Sequence, residues 1–150
     1  MASVGDPGGD GIADVPVQQA WERLSSDPSA VLVDVRTRAE WSFVGLPDLS
    51  SVGKRPLLLE WSSFPDSQID PQFADRLAAA LQQAGAGTES EIFFLCRSGA
   101  RSKAAATALA GKGFVRCRNV AEGFEGPLDP ARQRGRVSGW KAAGLPWSQG

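Results

Sequence analysis

The sequence predicts an α/β fold, an open parallel sheet with helices on both faces. Three observations carry this expectation. Short apolar runs at residues 31–35, 56–61, 92–95 and 114–120 recur along the chain. Stretches with helical periodicity separate them, which is the pattern of parallel strands joined by crossover helices. The run Ile92, Phe93, Phe94, Leu95 is continuously apolar and does not alternate, as suits a strand buried on both faces. With 150 residues, 42% of them hydrophobic and 22% charged, the chain is sized for one domain around one core.

Taken in order, residues 1–14 read as a polar, glycine-rich tail, and the domain is placed at 15–147. The tail has no basic flank and no apolar centre, so it is not read as a signal peptide. Pro16 suits a first helical turn, and Val17, Ala20, Trp21 and Leu24 follow at the spacing of one buried helix face. Residues 31–35, V-L-V-D-V, form the next strand, with Asp34 as its one charged member. Thr37 and Glu40 have the spacing of a capping box and predict a short helix. P-L-L-L-E-W at 56–61 reads as another strand, with Glu60 and Trp61 at its carboxyl end. Asp70 and Pro71 predict a helix start, with Asp70 as cap, and Phe73, Leu77, Leu81 and Ala84 lie on its apolar face up to Gly85. Residues 114–120 read as a last strand near a sheet edge, with Cys117 as a core side chain. A short helix is expected around Trp140, and Trp147 is expected to pack back on the domain.

The strand at 92–95 leads into Cys96, Arg97, Ser98, Gly99, Ala100, Arg101 and Ser102, and a helix is expected from Ser102 to Gly111. Open α/β sheets bind ligands at the carboxyl ends of their strands. A helix start offers unpaired N–H groups and a positive dipole end, and a tight loop makes an anion-binding nest. Arg97 and Arg101 add fixed positive charge. All of this favours a thiolate at Cys96. A buried structural cysteine is the plain alternative.

Other chemistries are narrowed by what the chain lacks. It has no histidine and two cysteines, so neither a Cys/His zinc site nor Cys–His catalysis fits. A formal net charge of −1 argues against a general nucleic-acid binder. No stretch is long and apolar enough to span a bilayer. Cys96 and Cys117 are expected to stay reduced, with a cytoplasmic location.

The run C-R-S-G-A-R-S at 96–102 resembles the active-site loop of the rhodanese (sulfurtransferase) family. D-V-R-T-R-A-E-W at 34–41 resembles a second signature of that family, and N-V-A-E-G at 119–123 a third, with Glu122 where a glycine is usual. After Gly45 the family's histidine-containing turn is replaced by L-P-D-L-S-S-V-G-K-R. The resemblance implies a rhodanese-like sheet and a sulfane sulfur carried as a persulfide on Cys96. It further implies donor contacts from Arg97, Ser98, Gly99, Ala100, Arg101 and Ser102, and no metal or organic cofactor. Asp34, Arg36 and Glu40 would be chiefly structural ion-pair partners. The expected partners are a small-molecule sulfur donor such as thiosulfate and a thiol or cyanide acceptor, with a sulfur-accepting protein as another acceptor. A sulfur-carrier or interaction module with little thiosulfate turnover is the alternative, with the loop at 46–55 as its partner surface. Phosphatase loops of the C-x5-R type place arginine six residues after the cysteine; here Ser102 holds that position and Arg101 lies five after. Whether Glu60, Trp61 and Phe124 wall the pocket is left open by the sequence.

Overall fold

The computed structural model describes residues 12–63 and 68–149. Five parallel strands form one sheet in the order β1-β6-β5-β2-β4. They are β1 (Ala13–Val15), β2 (Val31–Asp34), β4 (Leu57–Leu58), β5 (Ile92–Leu95) and β6 (Cys117–Val120). A two-stranded antiparallel ribbon pairs β3 (Leu46–Pro47) with β7 (Trp147–Ser148). The helices are α1 (Val17–Ser26), α2 (Arg38–Phe43), α3 (Phe73–Gln83) and α4 (Ala100–Ala110). The expected α/β sheet with helices on both faces is therefore the observed fold.

The strand β5 lies at the centre, and all four of its residues are buried. Its side chains split between two cores, as the pleat requires. Ile92, Phe94 and Cys96 pack with Phe73, Leu77 and Leu81 of α3 and Ala105, Ala106 and Leu109 of α4. Phe93 and Leu95 face Val17, Ala20 and Leu24 of α1, together with Leu49, Phe124 and Trp140. Cys117 joins the first cluster, as its place in the strand predicts.

Several elements differ from the sequence expectation, each for a local reason. Ala13 and Asp14, placed in the tail, belong to β1, which pairs with β6 and becomes the sheet edge. Residues 1–11 of that tail lie outside the described residues. The helix α3 starts at Phe73, because the Asp70 carboxylate accepts the Gln72 N–H at 2.9 Å and the Asp70 carbonyl accepts the Phe73 N–H at 3.1 Å. Asp70 to Gln72 is thus a turn before the helix, built on the aspartate side chain. The helix α4 starts at Ala100, two residues early, because Gly99 takes the left-handed φ of 110° and serves as its cap. The strands β4 and β6 are shorter than the apolar runs that contain them, and Val115 is exposed. No helix forms around Trp140. There the Trp140 N–H donates to the Gly123 carbonyl at 2.9 Å and the Lys141 N–H to that of Phe124 at 3.1 Å, so these groups bond a distant segment and not a preceding turn. The Trp140 ring is still wholly buried, and its indole N–H donates to the Pro146 carbonyl at 2.7 Å. Trp147 packs edge-on against Phe124, as its expected return to the domain requires.

The segment 46–55, which departs from the family pattern, is built into the fold. Leu46 and Pro47 pair with β7, Leu49 is buried, and the Lys54 ammonium donates to the Asp27 and Ala30 carbonyls at 2.6 and 2.9 Å. Among the described residues no helix is long and apolar enough to cross a membrane.

Candidate functional site

Cys96 follows β5 at its carboxyl end, and only 1% of it is exposed. Its Sγ accepts the Gly99 N–H at 3.1 Å and lies 3.2 Å from the Ser102 hydroxyl. A second segment straps the loop from outside. The Phe124 N–H donates to the Cys96 carbonyl at 2.8 Å, and the Glu125 and Gly126 N–H groups donate to that of Arg97 at 3.0 and 3.1 Å. The two segments touch through glycines. A Cβ on Gly99 would collide with the Ala121 carbonyl, and one on Gly123 with the Arg97 carbonyl. Only glycine permits this approach, and both residues have positive φ.

A buried polar chain continues behind the sulfur. Asn119 of β6 accepts the Ser102 hydroxyl on its Oδ1 at 2.6 Å. Its Nδ2 donates to Asp14 Oδ1 at 3.0 Å and to the Gly99 carbonyl at 3.2 Å. On the other side, Arg101 forms a two-pronged pair with Glu40, Nη1 to Oε1 at 2.7 Å and Nη2 to Oε2 at 3.0 Å. Glu40 also completes the expected capping box, accepting the Thr37 N–H at 3.1 Å. Burial opposes its ionisation, but the hydrogen bonds from Arg101 and Thr37 and the Arg101 charge outweigh burial and hold the carboxyl at about 2. The bond to Glu40 in turn raises Arg101 above its ordinary value, against the opposing effect of burial.

Beneath these groups lies the ion pair expected of an aspartate in an apolar strand. Asp34 and Arg36 are both wholly buried and joined by contacts of 2.9 and 2.7 Å. Arg36 also donates to the Gly45 carbonyl at 2.7 Å, and its guanidinium lies 4.2 Å from the centre of the Phe124 ring. Phe124 is therefore a buried support for Arg36. Glu60 accepts the Arg38 N–H at 2.7 Å, at the start of α2. Trp61 packs edge-on against Phe73. None of these three lines the cleft described next.

A cleft of about 700 Å³ opens beside the loop. Arg97, Arg101, Arg132 and Arg134 line it with Glu40 and Glu125, and Phe43, Val44 and Leu128 add an apolar wall. The loop residues named from sequence thus divide into three sets. Cys96, Gly99 and Ser102 form one buried, hydrogen-bonded cluster. Arg97 and Arg101 reach the cleft. Ser98 and Ala100 are exposed. The sequence assigned no role to Asn119 or Asp14; the signal for Asn119 was its place at the head of the N-V-A-E-G stretch, on the same strand face as the core residue Cys117. Cys117 is a poor nucleophile, since burial pushes its thiol up to about 12. Among the described residues no cluster of histidine, cysteine or carboxylate groups is arranged to hold a metal.

A family model described as the STR4 middle domain matches residues 13–150. An uncharacterized protein of Rickettsia rickettsii, the RP600 homolog, is 38% identical over 86% of this chain and 91% of its own length. The crystal structure of Rv0390 from M. tuberculosis is 45% identical, with a TM-score of 0.79, covering 92% of this chain and 98% of that one. Rhodanese-like domain-containing protein 4 of the Arabidopsis thaliana chloroplast is 25% identical over 87% of this chain, which corresponds to 24% of that protein. The polysulfide-sulfur transferase of Wolinella succinogenes shares the fold, at 20% identity and a TM-score of 0.57 over 93% of this chain and 80% of that one.

Proposed function

The chain belongs to the STR4 middle domain family, and from that premise we propose that it is a sulfurtransferase that carries a sulfane sulfur on Cys96. The observation that carries this reading is the placement of Cys96 Sγ at the end of the central strand, 3.1 Å from the Gly99 N–H, in the C-R-S-G-A-R-S loop. A rhodanese-like relative supports it, and the fold is one that a polysulfide-sulfur transferase also has.

The reaction follows from thiol chemistry. The Cys96 thiolate attacks the outer sulfur of thiosulfate, a new S–S bond forms, and the bond to the sulfonate sulfur breaks. Sulfite leaves with the bonding electron pair. An acceptor thiolate or cyanide then attacks the outer sulfur of the persulfide, and the Cys96 thiolate is released. Arg97, which makes no ion pair among the described residues, and Arg101 supply positive charge where sulfite departs. Mass spectrometry of the whole protein after thiosulfate treatment tests the step. The expected gain is one sulfur, about 32 Da, mapped to Cys96 and absent from Cys96→Ser. A gain on Cys117, or none, refutes it.

A second reading rests on a specific observation. Cys96 is buried and Arg101 is already neutralised by Glu40, which disfavours a small dianion as the natural donor. The chain would then serve as a sulfur carrier loaded and unloaded by a protein partner. Persulfide on Cys96 with negligible thiosulfate:cyanide turnover distinguishes it.

A further inference from the structure

Asn119 plays no part in the sulfur-transfer scheme, yet it has the shortest contact of the polar chain behind Cys96. Ser102 has one hydroxyl proton and three neighbours able to accept it: Asn119 Oδ1 at 2.6 Å, the Gly99 carbonyl at 3.1 Å and Cys96 Sγ at 3.2 Å. The Gly99 carbonyl already accepts the Lys103 N–H at 3.3 Å and Asn119 Nδ2 at 3.2 Å. The Asn119 amide is fixed in orientation. Its Nδ2 faces Asp14 Oδ1 and the Gly99 carbonyl, both of which only accept, so turning the amide over would set oxygen against oxygen twice. Oδ1 therefore faces Ser102 and takes its proton. That leaves a Ser102 lone pair toward Cys96, an arrangement that satisfies S–H and not S⁻.

When Cys96 passes its proton to a base in solvent, the thiolate keeps the Gly99 N–H. It gains a second donor only if the Ser102 O–H turns away from Asn119, which strands a buried acceptor. We propose that Asn119, oriented by Asp14, is a positioning residue that holds Cys96 in its thiol form at rest by engaging the Ser102 proton. The inference builds on the reading of Cys96 as the nucleophile and concerns how much of that nucleophile is available.

Other charges lie around the loop. The Asp34 charge in β2 acts on Arg101 of α4. Arg36 pairs with Asp34, Glu40 of α2 neutralises Arg101, and Lys103 lies 3.6 Å from Asp14. Arg97 lies next to Cys96 in the loop. Asn119→Ala alters none of these charges, so its effect reports the hydrogen-bond chain.

The test is an ultraviolet titration of the thiolate in a Cys117→Ser background. The chain has no tyrosine, so no phenolate overlaps the signal. Asn119→Ala should give about tenfold more Cys96 thiolate at a pH where the parent is mostly thiol, the size expected for freeing one buried hydrogen-bond donor. Introduced into Ser102→Ala, it should change nothing, because the proton it engages is gone. Asp14→Asn, at the sheet edge, removes one of the two acceptors that fix the amide and should raise the thiolate in the same direction by a smaller factor. Only the part of that rise lost in Ser102→Ala counts, since the charge change alone acts in both backgrounds. An Asn119→Ala protein with no extra thiolate, or with the same gain in Ser102→Ala, overturns the proposal. Circular dichroism checks each fold, and if Asn119→Ala does not fold, the Asp14→Asn pair decides by the same criterion. The titration reads protonation and not sulfur transfer, so it gives its answer even if thiosulfate never loads the chain.

Discussion

Replacing Glu40 with glutamine keeps the shape of the side chain and its capping box but removes its charge. In the folded chain the Glu40 carboxyl sits at about 2, against an ordinary value of 4.5. That difference corresponds to about 3 kcal/mol. The carboxylate side chain is 19% exposed and the guanidinium 28%, so solvent screening reduces this to about 2 kcal/mol. The folded value is depressed, so the stabilisation is fully present above 4.5 and is lost as pH falls through about 2. Urea unfolding of wild type and Glu40→Gln, repeated from neutral pH down to about 2, measures it. The variant should be less stable by about 2 kcal/mol near neutrality, and the two curves should converge toward the acid end. Other carboxylates titrate over the same range in both proteins and cancel in the difference. A gap that stays constant with pH, or no gap, would refute the assignment of this stability to the Glu40–Arg101 pair.

Further outcomes follow from the same contacts. Asp34→Ala should cost about 3–5 kcal/mol in denaturant unfolding, since it leaves Arg36 buried without its counter-charge. If the variant instead keeps its stability and loses turnover, Asp34 belongs to the chemistry. Gly123→Ala should displace the Arg97 carbonyl and abolish sulfur loading, read by mass spectrometry, because its Cβ has no room and its φ is 73°. Arg101→Ala should lower kcat/KM for thiosulfate by about 10–100-fold, as expected for the loss of one charge-assisted contact. Aryl phosphates should not be turned over, and phosphate release that depends on Cys96 would reverse the functional reading. At mildly alkaline pH iodoacetamide should leave Cys117 untouched in the native protein, since burial holds its thiol near 12, and label it after unfolding in urea.

The parts of the fold legible in the sequence were those decided by short-range pattern. The apolar run at 92–95, the periodic faces of α1 and α3 and the Thr37–Glu40 capping box each encode their own structure within a few residues. The edge strand β1 was not legible, because Ala13 to Val15 is too short to show a period and its partner lies at Arg118 to Val120. Trp140 was misread for a related reason. Its surroundings look helical locally, but its backbone is claimed by Gly123 and Phe124. The same distinction runs through the site. The cysteine loop reads directly as C-R-S-G-A-R-S, whereas the union of Arg101 with Glu40, 61 residues apart, and of Asn119 with Asp14, 105 apart, is tertiary.

The parallel pairing of β1 with β6 also orders events on the ribosome. Ala13 to Val15 has no sheet neighbour until Cys117 to Val120 has emerged. The cysteine loop lies in between, and its strap at 123–126 comes later still. Loop closure over such separations is slow compared with local helix formation. A nascent chain that already contains Cys96 therefore presents it without the Phe124 bond over its carbonyl and without Asn119 behind Ser102. The cysteine is thus made before two of the groups that enclose its loop in the folded chain, the Phe124 N–H and the Asn119 amide.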